Sequence, residues 1–399
     1  MLKATFFIVL LNLCLPFNAV GQSASNSISV TPQTRDAVVK LVGDITVDGQ
    51  AYEYTRELSD EIGPRLSGSA KYMQAAQWAE KRFKSLGLSN VHVEKFEMPV
   101  WEPEGPATGT IVTPFAHQLH IYSFAGSPST PKDGVTAKVV HVPGLTKEAL
   151  VSIQGELRDS FALLDADSTP PNMSYEDLLK VFLELEQMHI RGFLIGDVLP
   201  KPFQAVDNGT ENIFAGTADG SMLTVPAGQI GAEDVQLIHR LMTRGQVEVS
   251  MKFSTHIAPK VDVPQIVGEI RGRELPDQIV VLGGHLDSWQ PGTGAQDNGT
   301  GVATVLDVAR AIQAQHLVPR RTVRFVLFGG EEQGEVGSAA YVRAHRNELD
   351  KIDAVLISDS GAGTAYGWMV MGRNDQKEAM MSVAPLLKNL GSDKTSNDV

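Results

Sequence analysis

The chain has 399 residues, 42% hydrophobic and 20% charged, with 34 Lys+Arg against 47 Asp+Glu for a formal net charge of −13. That composition suits a soluble globular enzyme, and so acidic a chain offers no basic face to displace counterions from nucleic acid. Length alone suggests about two to three domains.

The first residues read as an export signal over 1–21. Lys3 supplies the positive start, Ala4 to Phe17 is apolar apart from Thr5 and Asn12, and Ala19-Val20-Gly21 gives the small residues of a cleavage site. The apolar run is too short to span a membrane, and no later run is long enough. Cys14, the only cysteine, falls inside this signal. Leu13 before it is not the small residue of a lipid-attachment site, so no membrane anchor is expected. The exported chain, periplasmic or extracellular, then has no disulfide and relies on core burial, with metal as a further support.

Tyr72, Ala76, Ala79, Phe83 and Leu86 recur at helical spacing, which predicts one buried helix face. Gly87 ends that helix, and Val91 to Phe96 alternates like a half-buried strand. Breakers from Pro99 to Pro106 close an N-terminal part, 22–104. The stretch 105–257 has a different texture and reads as an inserted β-rich module. It carries short β-like runs at Phe161–Leu164 and Gly192–Ile195, a polar loop at Ser168–Tyr175, and a helix over Glu233–Arg244. From 258 to 399 the pattern becomes strand, loop, helix, strand. Ile279–Leu282, Val323–Phe328 and Ala354–Ile357 are the strands, and Gly301–Ala314 is an apolar helix. The alternation predicts an α/β fold with a mostly parallel sheet sandwiched by helices.

Polar clusters follow each predicted strand. Gly283-Gly284-His285-Leu286-Asp287 comes after the first, with Asp297-Asn298-Gly299 in the loop beyond. Glu331-Glu332-Gln333 comes after the second, and Ser358-Asp359-Ser360 after the third. Open α/β sheets bind ligands at these ends. Alone, each cluster is more simply a surface pair, a solvated face or a helix cap. Together, charged groups after buried strands are costly unless paired or bound to metal. One imidazole with several carboxylates suits Zn²⁺, and a carboxylate shared between two ions gives a clamp for carbonyl hydrolysis. No Gly-x-Ser-x-Gly elbow supports a serine hydrolase, and no Gly-x-Gly-x-x-Gly supports a nucleotide fold. A non-enzymatic binding protein on the same scaffold is the remaining alternative.

The run His285–Gly301, with Glu331-Glu332-Gln333 and Asp359, resembles the co-catalytic zinc exopeptidases of the aminopeptidase and glutamate carboxypeptidase type. Ile62-Gly63-Pro64-Arg65-Leu66-Ser67-Gly68 resembles their N-terminal signature, and 105–257 resembles the protease-associated domain many members insert. The resemblance implies a peptide substrate, a homodimer and two zinc ions. His285 and Asp359 would bind one ion and Glu332 the other, with Asp297 bridging. Glu331 would be the general base, and Asp287 would hold the His285 ring. The resemblance also implies a further histidine downstream, yet none follows His345. The expectation is therefore a chain truncated at its C-terminus, with an incomplete second zinc site, an open sheet edge near residues 380–399, and no metal ligand from the insert.

Overall fold

In the computed structural model of the protein, the described residues are 30–165, 168, 175–196, 223–359, 361–365 and 367–396. The export signal with Cys14, and most of the polar loop 168–175, lie outside them. Among the described residues, no helix is long and apolar enough to cross a membrane.

Helices α1 (Pro32–Asp48), α2 (Ala51–Arg56) and α3 (Ala70–Ser85) precede the long strand β1 (Ser89–Pro103). The side chain of Ser69 caps α3 by accepting from Tyr72 N at 3.1 Å. Tyr72, Ala76, Ala79 and Phe83 are buried in the main core as the spacing predicts, and the Tyr72 hydroxyl donates to the Pro264 carbonyl at 2.6 Å.

Between Pro103 and Thr255 the chain builds a sheet of its own. Its strands are β2 (Thr108–Thr113), β3 (His117–Leu119), β4 (Ile121–Ser123), β5 (Val135–His141), β6 (Ser160–Leu164), β7 (Gly192–Gly196), β8 (Ala227–Ile230) and β9 (Glu248–Lys252). Helices α4 (Lys147–Leu157), α5 (Tyr175–Gln187) and α6 (Ala232–Met242) accompany them. The predicted runs at 161–164 and 192–195 are β6 and β7, and the predicted helix is α6. Two apolar clusters, one around Phe161 and Leu194 and one around Phe193 and Phe182, belong wholly to this segment.

The chain then returns through β10 (Thr255–Ile270), β11 (Leu275–His285), α7 (Thr300–Ala314), β12 (Arg321–Phe328), α8 (Val336–Ala344) and β13 (Ile352–Ile357). The main sheet has the order β1-β10-β12-β11-β13. The α/β architecture is as expected, but the sheet is mixed. Parallel pairing is confined to β12, β11 and β13, while β1–β10 and β10–β12 are antiparallel. The reason lies in the insert. Pro103 pairs with Thr255, so the chain leaves and re-enters the sheet at one point, and strands flanking such an excursion must run in opposite directions.

Beyond β13 come β14 (Gly367–Met369), α9 (Asn374–Leu387) and β15 (Lys394–Ser396). Within 380–399, where an open sheet edge was expected, β15 is a strand paired on one side only. β15 pairs with β14 in a separate two-stranded sheet, so that among the described residues β13 is one edge strand of the main sheet and β1 the other. Val355 and Ile357 on β13 are 51% and 53% exposed.

Arg324 on β12 is buried and joins three elements. Its Nε donates to Glu269 Oε1 at 2.7 Å on β10, and Nη1 donates to the Tyr341 hydroxyl at 2.9 Å on α8 and to Glu348 Oε1 at 2.5 Å. Arg324→Leu should lower unfolding stability by about 3 kcal/mol, the low end for breaking a buried pair, because Glu348 keeps some water. An unshifted urea midpoint would contradict this structural role.

Candidate metal centre

The site forms where three parallel strands end side by side. β11 lies between β12 and β13, and Gly283, Gly284 and His285 at its end pair with Val326, Leu327 and Phe328. Ser358 N, just past β13, donates to the Gly283 carbonyl at 2.8 Å. The loops after all three strands therefore open onto the end of β11, where His285 sits only 3% exposed.

His285 gathers the carboxylates. Its Nε2 lies 3.0 Å from Asp297 Oδ1, 3.2 Å from Asp359 Oδ1 and 3.7 Å from Glu331 Oε2. On the other side of the ring, Nδ1 donates to the Asp287 carbonyl at 3.1 Å, with Asp287 Oδ1 3.5 Å away. That contact fixes the tautomer that leaves Nε2 directed at the carboxylates. Asp287 is fully buried, and its Oδ2 accepts from Glu332 N at 3.3 Å. Glu332 turns inward, with Oε1 accepting from Trp289 N at 3.2 Å, while Glu331 points toward His285. The adjacent glutamates thus face different ways from one turn.

Two linkages hold the loops in register. Asn298, next to Asp297, donates from Nδ2 to the Ser358 carbonyl at 2.8 Å and accepts from Gly301 N at 3.0 Å. It therefore ties the Asp297 loop to the Asp359 loop while capping α7. Only glycine fits at 301, since a Cβ there would lie 2.1 Å from both Asn298 Oδ1 and the Ser358 carbonyl. The second linkage is Arg65, which was read in the sequence as part of a signature and not as a site residue. Fully buried, it donates from Nε to the Leu286 carbonyl at 2.6 Å, from Nη1 to Thr293 at 3.0 Å and from Nη2 to Gly294 at 2.9 Å. It clamps the loop running from His285 to Asp297. The available signal was a lone arginine between Gly63 and Gly68, both of which adopt positive φ.

Among the described residues, two overlapping sets at this site lie close enough together that each could hold an ion, His285 with Asp297 and Asp359, and His285 with Glu331 and Glu332, and proximity alone does not say which members would bind it. Neither draws a residue from 105–257. His256 and His345 also stay away from Glu332. His256 pairs across strands with Glu102, and His345 Nε2 contacts Glu94 at 2.9 Å.

The electrostatics fit a cation. Burial opposes a charged imidazole, yet Asp287, Asp297 and Asp359 together hold the His285 pKa well above its ordinary value. Burial pushes Glu331 up to about 8 and Glu332 well above the carboxylate range, with His285 offsetting part of each. Without a cation the cluster must carry extra protons, and a divalent ion bound at Nε2 and the carboxylates would replace them. Zinc added to chelator-stripped protein should therefore release protons at pH 7, and its affinity should rise with pH. Calorimetry in buffers of different ionisation enthalpy checks this, and identical heats in all buffers would contradict it.

Comparison with known proteins shows what the chain as a whole is similar to. Residues 265–398 match the profile of peptidase family M28. Rat carboxypeptidase Q is 30% identical over 388 residues, covering 96% of this chain and 80% of that protein. The crystal structure of a peptidase M28 precursor from Shewanella amazonensis superposes with a TM-score of 0.75 at 27% identity, covering 92% of this chain and 83% of that one. A zinc aminopeptidase from Bacillus subtilis shares the fold, with a TM-score of 0.66 at 23% identity over 87% of this chain and 78% of its own. With such identity over most of both chains, the protein belongs to peptidase family M28, as a zinc exopeptidase close to carboxypeptidase Q.

Proposed function

We propose that the chain is an exported dipeptidase of the carboxypeptidase Q kind, hydrolysing short peptides with free termini. The observation that carries this reading is the convergence on His285 Nε2 of Asp297 at 3.0 Å, Asp359 at 3.2 Å and Glu331 at 3.7 Å. In this reading His285 and Asp359 hold one zinc, Asp297 is shared, and Glu332 serves the second. When bound, zinc supplies Lewis acidity that polarises the scissile carbonyl and makes water a better nucleophile. Glu331 accepts the proton of the attacking water and returns it to the departing amine. Asp287 holds the His285 ring, and Arg65 and Asn298 keep the loops from drifting.

An apolar hollow opens beside His285, Glu331 and Asp359, with Phe328, Tyr341, Val342, Ile352, Val355 and Ile357 on its walls. It suits the apolar side chain of a residue flanking the scissile bond. Among the described residues Glu332 has no imidazole nearby other than His285, which supports a second ion held more loosely than the first. The segment 105–257 acts in this reading as a domain bordering the cleft without contributing a ligand.

An aminopeptidase is the second reading, favoured by the surplus of carboxylates around one imidazole, which would attract a free α-ammonium group. Free, N-acetylated and C-amidated dipeptides separate the two. The dipeptidase reading expects cleavage of the free dipeptide alone, whereas undiminished cleavage of the C-amidated one would establish an aminopeptidase.

Glu331→Gln should keep zinc and lose about a hundred- to ten-thousand-fold in kcat, the usual contribution of a general base. Parallel metal analysis and kinetics check this, and near-normal turnover would remove Glu331 from the role. Asp297→Ala should lower occupancy of both ions, and an unchanged zinc content would show that it bridges nothing.

A further inference from the structure

A second group of ligating side chains lies within the inserted sheet. His141 ends β5, Asp165 follows β6 directly, and His239 stands in α6. The parallel pairing of β5 with β6 sets His141 opposite Leu163, two residues before Asp165. The last turns of α6 bring His239 over the same strand ends. His141 Nε2 donates to Asp165 Oδ1 at 3.3 Å, and His239 Nε2 donates to Asp165 Oδ2 at 2.6 Å. The two rings meet edge to face with centroids 4.6 Å apart, and one ligating atom from each of the three residues lies within 4.8 Å of the others.

We propose that His141, Asp165 and His239 form a binding site for one divalent cation of the zinc type, separate from the His285 centre. Two imidazole nitrogens and one carboxylate oxygen are a zinc donor set, and zinc with three protein ligands completes its shell with water. Tetrahedral zinc places neighbouring ligand atoms about 3.3 Å apart, given bonds of about 2.0–2.2 Å. The His141–Asp165 separation already has that value, and His239 needs only to draw back from a short hydrogen bond. On binding, each ring gives up the proton on Nε2 and keeps one on Nδ1, so the two nitrogens that now donate to the carboxylate become ligands.

The surroundings fit such a site. Asp165 is buried, and Oδ1 also accepts from Ser168 N and Ser168 Oγ, each at 3.3 Å, which orients the carboxylate as an outer partner orients a ligand. Burial would raise the Asp165 pKa, but the hydrogen bonds from His141 and His239 hold it well below the usual range, so the group is ionised as a ligand must be. The His141 and His239 side chains are 22% and 35% exposed, which gives an ion a way in and a water a place. Binding would tie together β5, Asp165 at the end of β6 and α6, in a chain whose only cysteine, Cys14, lies far from all three in sequence.

The competing role is a hydrogen-bonded clip that joins the same three elements with no ion. His239→Gln distinguishes the two, because glutamine can still donate an N–H to Asp165 but is a poor zinc ligand. The test uses the full chain, stripped with chelator, reloaded with Zn²⁺ and analysed for zinc per chain, with the Co²⁺ absorption spectrum as a second readout. In a His285→Ala, Asp297→Ala, Asp359→Ala background about one zinc per chain should remain, and adding His239→Gln should abolish it. In the otherwise native sequence His239→Gln should remove about one equivalent and leave peptide turnover unchanged. The fall in affinity should exceed the roughly ten- to hundredfold that loss of an outer partner costs. Should His239→Gln fail to fold, His141→Gln gives the same readout. No zinc retained in the background variant, or equal zinc with and without the glutamine substitution, would overturn the site.

Discussion

One buried imidazole organises the catalytic half of this protein. His285 sits at the end of a central strand, nearly out of water, with carboxylates arriving from three loops. Charge on the buried Asp287, Glu332 and His285 is costly without a partner, and a divalent cation reached also by the more exposed Asp297 and Asp359 is the simplest compensation. The strand order explains why the groups can meet at all. With β11 between β12 and β13, and all three parallel, their ends share one crevice and their following loops converge there. The main-chain donors and acceptors used by Arg65 and Asn298 then limit how far the loops can move apart.

The rest of the fold protects that convergence. Because β1 and β10 pair antiparallel up to Pro103 and Thr255, the insert begins and ends at adjacent residues and leaves the register of β11, β12 and β13 undisturbed. Its own sheet carries its own apolar clusters, so its burial does not draw on the main core. Arg324 joins β10, β12 and α8 behind the site, and α3 packs its buried face into the same core as Leu286. β13 is poorly covered, and its outward Val355 and Ile357 adjoin the apolar hollow beside Glu331.

Much of this was legible in the sequence, because the polar clusters follow apolar strands at close range. His285, Asp287, Glu331, Glu332 and Asp359 could be named together since each lies within a few residues of a strand end, and Asp297 joined them from the glycine-rich loop that leads into α7. The helical face of Tyr72, Ala76, Ala79 and Phe83 was equally plain, as its period is local. What escaped depends on pairing between distant segments. Gly63 and Gly68 mark the loop around Arg65 as unusual, but do not reveal that its guanidinium will meet the carbonyls of Leu286, Thr293 and Gly294. Strand direction is not encoded in apolar runs, so the antiparallel β1–β10 pair was hidden until its partners were known. The same holds for His141, Asp165 and His239, which look like unrelated polar residues until β5, β6 and α6 pack. Nor do the apolar runs reveal that β15 pairs with β14 in a sheet of its own instead of extending the main sheet.

In the proposed peptidase centre, His285 Nε2, Asp297 and Asp359 would bind one zinc ion. Diffraction from zinc-loaded crystals, recorded on both sides of the zinc absorption edge, tests it most directly. An anomalous peak about 2.0–2.2 Å from His285 Nε2 and from carboxylate oxygens of Asp297 and Asp359 is the predicted result. Zinc-loaded crystals with no anomalous density at His285 would contradict it.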